Sequence, residues 1–462
     1  MPGPRGGRAI AVIPRSAVTG IHWPAVPSDA AARLLAIYHQ LASTQWLSPG
    51  ALDRLQLAAL DRLLEHAART VPYYRDRPEY AQVAAQPLTP ESWRRLPVLT
   101  RAELQEAGES LRSQSIPSDH LPLNETVTSG STGRPVRAVT TAVTHLFWMA
   151  LTLREQLWHG RDLTATLAAI RTPSAGVIPP EGARLAGWGA AVDLVYETGP
   201  CALFSVQHDI ARQAEWLVAV DPEYLLTLPS NLVALARHFQ ATGARLTKLR
   251  QVCSYGEALG PHVRDVCRQA WGVELVDMYS SQEVGYLALQ CPASEQYHVQ
   301  SETVRVEVLH DLARPCRPGE IGRVVVTPLH NLAMPLLRYE LGDYAEVGGT
   351  CSCGRGLPVL TRIMGRQRNM LTLPTGEQVW PLLGARAWAH LDAVRQLQVV
   401  QRDLDSLEAR VVGPRPLTAA EEGELTAVLQ QRLSHPFNVS FTYLDHIDRE
   451  KGLKFEDFVS LV

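Results

Sequence analysis

Between about residues 165 and 290 the chain alternates short apolar runs with amphipathic stretches, and this alternation constrains its fold more than any other feature. Leu225-Leu226-Thr227-Leu228 leads through Pro229-Ser230-Asn231 into a helical pattern of Leu232, Leu235, Ala236 and Phe239. Gln251-Val252-Cys253-Ser254-Tyr255 and Glu274-Leu275-Val276-Asp277-Met278-Tyr279 read as strands, with Pro261 to Trp271 as the helix between them. That is α/β wiring. From about 297 to 348 the texture becomes β: Val304–Val308, Gly322–Thr327 and Tyr344–Val347, and then Val359–Ile363 leads to Gly365-Arg366.

The flanks complete the plan. Residues 28 to 70 carry helical periodicity broken at Pro49-Gly50 and stopped at Pro72, and Val143 to Trp158 reads as a further helix. At 462 residues the chain exceeds what one hydrophobic core supports. The fold expected is α/β: a large N-terminal domain, 1–364, of α/β subdomains plus a β-rich subdomain. A small mobile α+β C-terminal domain, 365–462, follows it.

Composition excludes several classes. With 46% hydrophobic and 20% charged residues and a formal charge of −3, nothing points to nucleic acid or an anionic membrane as partner. No apolar run approaches the roughly 18 to 20 residues needed to span a bilayer. Ala9 to Ile13 is too short for a signal core and Pro14 ends it, so the cytoplasm is expected. Seven cysteines form an odd set without secretory context, which argues against a disulfide framework.

One loop carries phosphate-binding chemistry. Thr128-Ser129-Gly130-Ser131-Thr132-Gly133-Arg134-Pro135 lies between apolar segments, a strand–loop–strand setting. Freed backbone N–H groups and hydroxyls together can wrap a polyphosphate. The loop lacks the lysine of a P-loop, and alone it reads equally as a flexible linker. Of the 44 basic residues only Lys248, Lys451 and Lys454 are lysines. Where arginine has replaced nearly every lysine, a retained one marks a place for a compact, mobile ammonium or else a surface tail.

Further segments follow in order. Tyr255-Gly256-Glu257-Ala258-Leu259 puts a glycine at a strand end, where backbone approaches a planar ring. Tyr279-Ser280-Ser281-Gln282-Glu283 offers an aromatic face and then a hard carboxylate oxygen suited to Mg2+. Arg338-Tyr339-Glu340-Leu341-Gly342-Asp343 places a carboxylate after a glycine turn, Gly365-Arg366-Gln367-Arg368 opens the tail, and Gly452-Leu453-Lys454-Phe455 nearly ends it. Singly, each has a structural reading: core, turn-former, helix first turn or solvated tail.

This order resembles the adenylate-forming superfamily of acyl-CoA synthetases, peptide-synthetase adenylation domains and firefly-type luciferases, and within it the phenylacetate–CoA ligase branch. The resemblance runs from Leu63-Leu64-Glu65-His66-Ala67 and Val71-Pro72-Tyr73-Tyr74-Arg75 through Gly319-Glu320-Ile321-Gly322 and Met334–Tyr339 to Lys454-Phe455-Glu456. It implies that Thr128, Ser129, Gly130, Ser131, Thr132 and Gly133 cradle the ATP phosphates. Gly256, Glu257 and Ala258 would flank adenine and Tyr279 would cover its other face, with Ser280, Ser281 and Gln282 beside the nucleotide. Glu283 would hold Mg2+, and Asp343 the ribose hydroxyls with Arg366 nearby. Lys454 would bridge the acid's carboxylate and the α-phosphate as catalytic lysine. Its domain would then rotate about Gly365–Arg368 to admit the acceptor.

Two departures matter. Gln282 stands where the family's Tyr-Gly-x-Thr/Ser-Glu has a hydroxyl, and Gly365-Arg366-Gln367-Arg368-Asn369 lacks the hinge carboxylate of Gly-Arg-x-Asp-Asp. By position, Phe147, Trp148, Trp188, Gly189, Ser254 and Tyr255 are candidate walls for the acyl pocket, though aromatic residues serve equally as plain core.

Cys351-Ser352-Cys353-Gly354 is a tight thiol pair, and Cys291 and His298, six residues between them, can complete a Cys3His set typical of structural zinc. Unrelated reduced cysteines are the alternative. Some members of the resembled branch bind zinc through such residues. The activity expected is ATP-dependent formation of an acyl-AMP from a carboxylic acid, followed by transfer to a thiol, with CoA and an aryl or arylacetic acid as the resemblance implies. Loading of an acyl carrier protein, amide formation and a non-catalytic nucleotide-binding subunit are the alternatives, and a homodimer is the family-level expectation.

Overall fold

The structure, a computed structural model, describes residues 13–127, 136–172, 178–260, 262–310, 313–366, 369–381, 388, 391–447 and 455–462. Thr128 to Pro135, Gln367, Arg368, Lys451 and Lys454 lie outside the described residues.

The first periodic stretch forms α1 (Asp29–Thr44) and α2 (Pro49–Thr70). Ser28 and Ser48 cap them, each hydroxyl accepting the backbone N–H three residues on. Pro49 opens the second helix rather than merely breaking the first, in the turn where a missing N–H costs nothing. Short helices α3 (Pro72–Arg75), α4 (Pro78–Ala84), α5 (Pro90–Arg95) and α6 (Arg101–Ala107) follow.

Strands β1 (Leu123–Val127) and β2 (Arg137–Thr141) pair antiparallel on either side of the Thr128–Pro135 loop. The strand–loop–strand setting read from the sequence is therefore correct. Helix α7 (Ala142–Trp158) starts at once, with Thr141 and Thr144 satisfying each other's backbone N–H in a capping arrangement.

The alternating region then delivers β3 (Leu167–Arg171), β4 (Ala183–Leu185), α8 (Ala190–Asp193), β5 (Cys201–Ser205), α9 (Ile210–Val220), β6 (Tyr224–Thr227), α10 (Pro229–Thr242), β7 (Gln251–Tyr255), α11 (Val263–Trp271) and β8 (Glu274–Ser281). Strands β5, β3, β6, β7 and β8 are parallel neighbours in that order. Their carboxyl ends therefore open on one edge of the sheet, the edge where open α/β sheets bind ligands.

Beyond β8 the direction alternates. Strands β9 (Gly285–Gln290), β10 (Tyr297–Val299), β11 (Val304–Leu309), β12 (Ile321–Pro328), β13 (Tyr339–Val347) and β14 (Val359–Arg366) extend the sheet to twelve strands, in the order β8-β9-β10-β14-β13-β12-β11. Helices α9, α10 and α11 cover one part through Leu217, Leu232, Leu235 and Phe239 against Val252 and Leu275. Leu60, Leu63, Leu64, Tyr74 and Trp93 from α2, α3 and α5 pack against Leu287, Val324, Val326 and Tyr339. Each such fully buried side chain contributes about 1.5–3 kcal/mol relative to exposure.

The tail builds a separate core. A hairpin, β15 (Leu371–Thr372) and β16 (Gln378–Val379), precedes β17 (Gln396–Gln401), β18 (Ser406–Val412), α12 (Ala419–Leu433), β19 (Asn438–Leu444) and β20 (Phe458–Ser460). The last four strands form a sheet ordered β19-β18-β17-β20. Leu425, Leu429 and Leu433 of α12 pack on Val399, Leu407 and Ala409. Among the described residues no helix is long and apolar enough to cross a membrane.

Candidate active site and metal centre

The carboxyl ends of β7 and β8 and the facing ends of β13 and β14 converge. Tyr279, late in β8, is 7% exposed, and its hydroxyl donates to Asp343 Oδ2 at 2.9 Å. Burial, reinforced by the Asp343 charge, holds that phenol well above its ordinary pKa, so it stays a donor. Asp343 lies opposite Arg366 in the β13–β14 register, with Arg366 Nε 3.6 Å from Asp343 Oδ1. A Cβ built on Gly365 would lie 3.6 Å from the Ala258 Cβ, so the loop after β7 touches the end of β14. Gly256 turns that loop with φ +80°, a conformation side chains resist.

Glu257 faces two ways. Its carboxylate accepts Ser230 N–H at 2.9 Å and Ser230 Oγ–H at 3.1 Å in the first turn of α10, and Phe455 N–H at 2.9 Å from the tail. Ser280, Ser281 and Gln282 close β8, with Ser281 Oγ accepting Val284 N–H and Gln282 exposed.

Glu283 sits in the turn between β8 and β9, 7% exposed. Arg101, at the start of α6, reaches it from a distance of 182 residues, Nη1 to Oε1 at 3.3 Å, and lies 3.5 Å from the Tyr339 hydroxyl. Leu99, hydrogen-bonded to Arg338 and Glu340, staples the entry to α6 onto β13 and so aims Arg101. Sequence reading missed this residue, because nothing local to Thr100-Arg101-Ala102-Glu103 distinguishes it from an ordinary capped helix start. A single buried carboxylate suits Mg2+ held chiefly by phosphate oxygens and water.

The acyl-pocket candidates disperse. Trp148 is 42% exposed, stacks on Tyr286 with centroids 6.3 Å apart, and lies beside Gly285, close to Glu283 in the chain. Tyr255 ends β7 half-buried, its hydroxyl pushed up to about 12 by burial. Phe147 stacks on His330 and lines a separate cleft of about 230 Å3 beside α1 and α2. Ser254 is fully buried and donates to Asp277 rather than facing a pocket.

Trp188 and Gly189 are not brought to the cluster. The Trp188 indole donates to Ala165 and packs edge-on against Tyr224, at the amino ends of β3 and β6. The nucleotide-binding candidates hang from the carboxyl ends.

Cys291, His298, Cys351 and Cys353 do come together. Strand β10 pairs with both β9 and β14, which sets Cys291, just past β9, and His298 beside the β13–β14 loop carrying the other two. One ligand atom from each lies within 4.8 Å of the others. Cys351 and Cys291 sulfurs are 3.7 Å apart, and Cys353 Sγ is 3.2 Å from His298 Nε2. Zinc–sulfur bonds of about 2.3 Å in a tetrahedron put two sulfurs roughly 3.8 Å apart, so the donor set fits. Burial pushes the His298 imidazole down to about 4, leaving it neutral, as a ligand must be. Burial also raises Cys351, but hydrogen bonds from the Cys353 backbone, Ser294 and the neighbouring thiols bring it below its ordinary value. The cluster lies where β9 ends, the opposite end of the sheet from Glu283.

A phenylacetate-coenzyme A ligase of Escherichia coli is 25% identical over 424 residues, covering 84% of this chain and 87% of that protein. The phenylacetate-coenzyme A ligase of Thermus thermophilus is 28% identical over 216 residues, 44% of this chain and about half (48%) of the relative's length. Along most of its length the chain is therefore similar to phenylacetate-coenzyme A ligases.

Among solved structures, 2-hydroxyisobutyryl-CoA ligase in its postadenylation state shares the fold, with a TM-score of 0.69 at 21% identity over 88% of each chain. The same ligase in its thioesterification state overlays less well, at 0.57 with 21% identity over 88% of this chain and 89% of that one. The family described as the CapK C-terminal domain matches residues 373–460, and its span coincides with the separate tail core.

Proposed function

We propose that the chain activates a carboxylic acid with ATP, forming an acyl-AMP and pyrophosphate, and then transfers the acyl group to CoA. One observation carries this reading. Segments scattered from Glu257 to Phe455 meet at the carboxyl edge of the parallel strands, where Tyr279, Asp343 and Arg366 form one hydrogen-bonded and ionic group. Asp343, its second oxygen fixed by Tyr279, accepts the ribose hydroxyls. Glu283 is the protein's ligand for Mg2+, which when bound would neutralise phosphate charge. Arg101 balances the Glu283 carboxylate until then.

Thr128 to Gly133 supply N–H and hydroxyl donors to the phosphates, and Lys454 neutralises charge between acid and α-phosphate as the carboxylate attacks phosphorus. We place the boundary between the two domains at residues 364 and 365 and the enzyme in the cytoplasm. Arylacetic or aryl acids are the favoured substrates, with Trp148, beside Gly285, and Tyr255, next to Gly256, as candidate aromatic surfaces. Cys291, His298, Cys351 and Cys353 hold a structural zinc: all four ligands are protein-derived, and the site lies at the far end of the sheet.

The test is ATP–pyrophosphate exchange over aryl, arylacetic, acyl and amino acids. CoA, a carrier protein and amines then compete as acceptors under mass spectrometry. Thioester to CoA is expected. Exchange with no acid would favour the non-catalytic alternative.

A further inference from the structure

We infer that the Glu257 carboxylate is the clasp that docks the lysine-bearing end of the chain onto the large domain for adenylation. This rests on the ligase reading above. The family resemblance implies a place beside adenine for Glu257, and its side chain hydrogen-bonds to Ser230 and Phe455. Helix α10 starts without a side-chain cap, since Leu228 occupies the capping position. Glu257 takes over that role from a neighbouring loop by accepting Ser230 N–H, with the Ser230 hydroxyl donating to its other oxygen. A carboxylate against a helix N-terminus is favoured by the helix dipole, so its geometry is set by the large domain alone.

The same carboxylate accepts Phe455 N–H at 2.9 Å, from the residue directly after Lys454. On its far side the segment is held within the tail: Gln398 Nε2–H donates to Glu456 O, and Phe458 pairs with Val399. Asn369 makes a second tie, between the end of β14 and the tail strand, its Oδ1 accepting Arg366 N–H and its Nδ2 donating to Phe458 O. The 455–458 stretch is thus strung between a tail strand and a fixed acceptor beside the nucleotide cluster. The whole chain overlays better on the postadenylation than on the thioesterification state of one ligase, with TM-scores of 0.69 and 0.57. Glu257 is accordingly a positioning residue: it touches no reacting atom and acts through the chain direction at Phe455.

The experiment compares E257A and E257Q with wild type in the full-length protein by three readouts. These are phenylacetate-dependent pyrophosphate exchange, thioester formation from supplied phenylacetyl-adenylate and CoA, and peptide-level hydrogen exchange of residues 455–460 without ligand. In E257A, residues 455–460 should exchange at least tenfold faster, and pyrophosphate exchange should fall at least tenfold and by several-fold more than thioester formation does. E257Q, whose amide oxygen still accepts one N–H, should fall between. A residue that merely caps α10 would lower the melting temperature without altering exchange at 455–460. Unchanged protection of 455–460 in a folded E257A or E257Q overturns the proposal, as does an equal loss of both half-reactions. If wild type itself fails to adenylate any acid, the ligase reading fails instead, and the hydrogen-exchange arm still decides the clasp.

Discussion

Asp277 lies 3% exposed between β7 and the antiparallel strands, accepting hydroxyls from Ser254 and Tyr297 at 2.5 and 2.7 Å. Burial outweighs both donors and pushes its carboxyl up to about 6. A carboxyl whose folded pKa exceeds its unfolded value favours the protonated native state. Its contribution is fully present below about 4 and is lost as pH rises through about 6, on the order of 3 kcal/mol in all. Asp277→Asn removes that dependence. The variant's melting temperature relative to wild type should therefore be several degrees higher at pH 7.5 than at pH 5. A pH-independent difference would refute the assignment.

At the same scale, purified protein should contain close to one zinc per chain by elemental analysis. Cys351→Ser should lose it and melt lower, and a metal-free protein of undiminished stability would remove the site. The clustering of these four residues was legible because thiols and an imidazole at short spacings have few other joint uses. Arg101 was not legible. Its partner lies 182 residues away, and only the Leu99 staple onto β13 brings the two together. Glu257 was singled out for its glycine neighbour, while its hydrogen bonds to Ser230 and Phe455 needed the folded chain.

At the scale of elements, strands were read more securely than the junctions between them. Gln251–Tyr255 matches its strand end to end: three successive central residues are buried, as expected of a central parallel strand covered on both faces. The Pro-led helices α3 to α5 escaped because a helix of four to seven residues spans at most about two turns, too few for a recurring apolar face to stand out. Trp188 and Gly189 were misplaced for a related reason: position in sequence does not say at which end of a strand a loop emerges.

The β8–β13 contact yields a prediction of its own. Tyr279→Phe keeps the ring and deletes the hydroxyl that orients Asp343. A hydrogen bond to a charged group is worth about 1.5–3 kcal/mol, so the KM for ATP should rise about tenfold or more while that for the acid stays put. Equal changes in both would show that the pair serves packing rather than nucleotide binding.

At the scale of the whole molecule, two cores divide the work. The twelve-stranded sheet sets out the edge proposed to bind the nucleotide, and the four-stranded tail sheet carries β20 and the residues just before it to that edge. An arginine-rich chain that keeps a lysine directly before Phe455 in sequence is consistent with the point-charge role proposed for Lys454. The α/β wiring and the order of motifs made the architecture readable. The identity of the acid was not, because Phe147, Trp148, Trp188 and Ser254 face four different surroundings and so define no shared pocket.

The central claim is adenylation driven by a lysine from the second domain. It is met most directly by ATP–pyrophosphate exchange across the acid library, with wild type and Lys454→Ala side by side. At least one acid should support exchange in wild type, and the variant should lose two to three orders of magnitude of that rate while retaining ATP binding by calorimetry. Exchange absent for every acid, or undiminished in Lys454→Ala, would contradict the account.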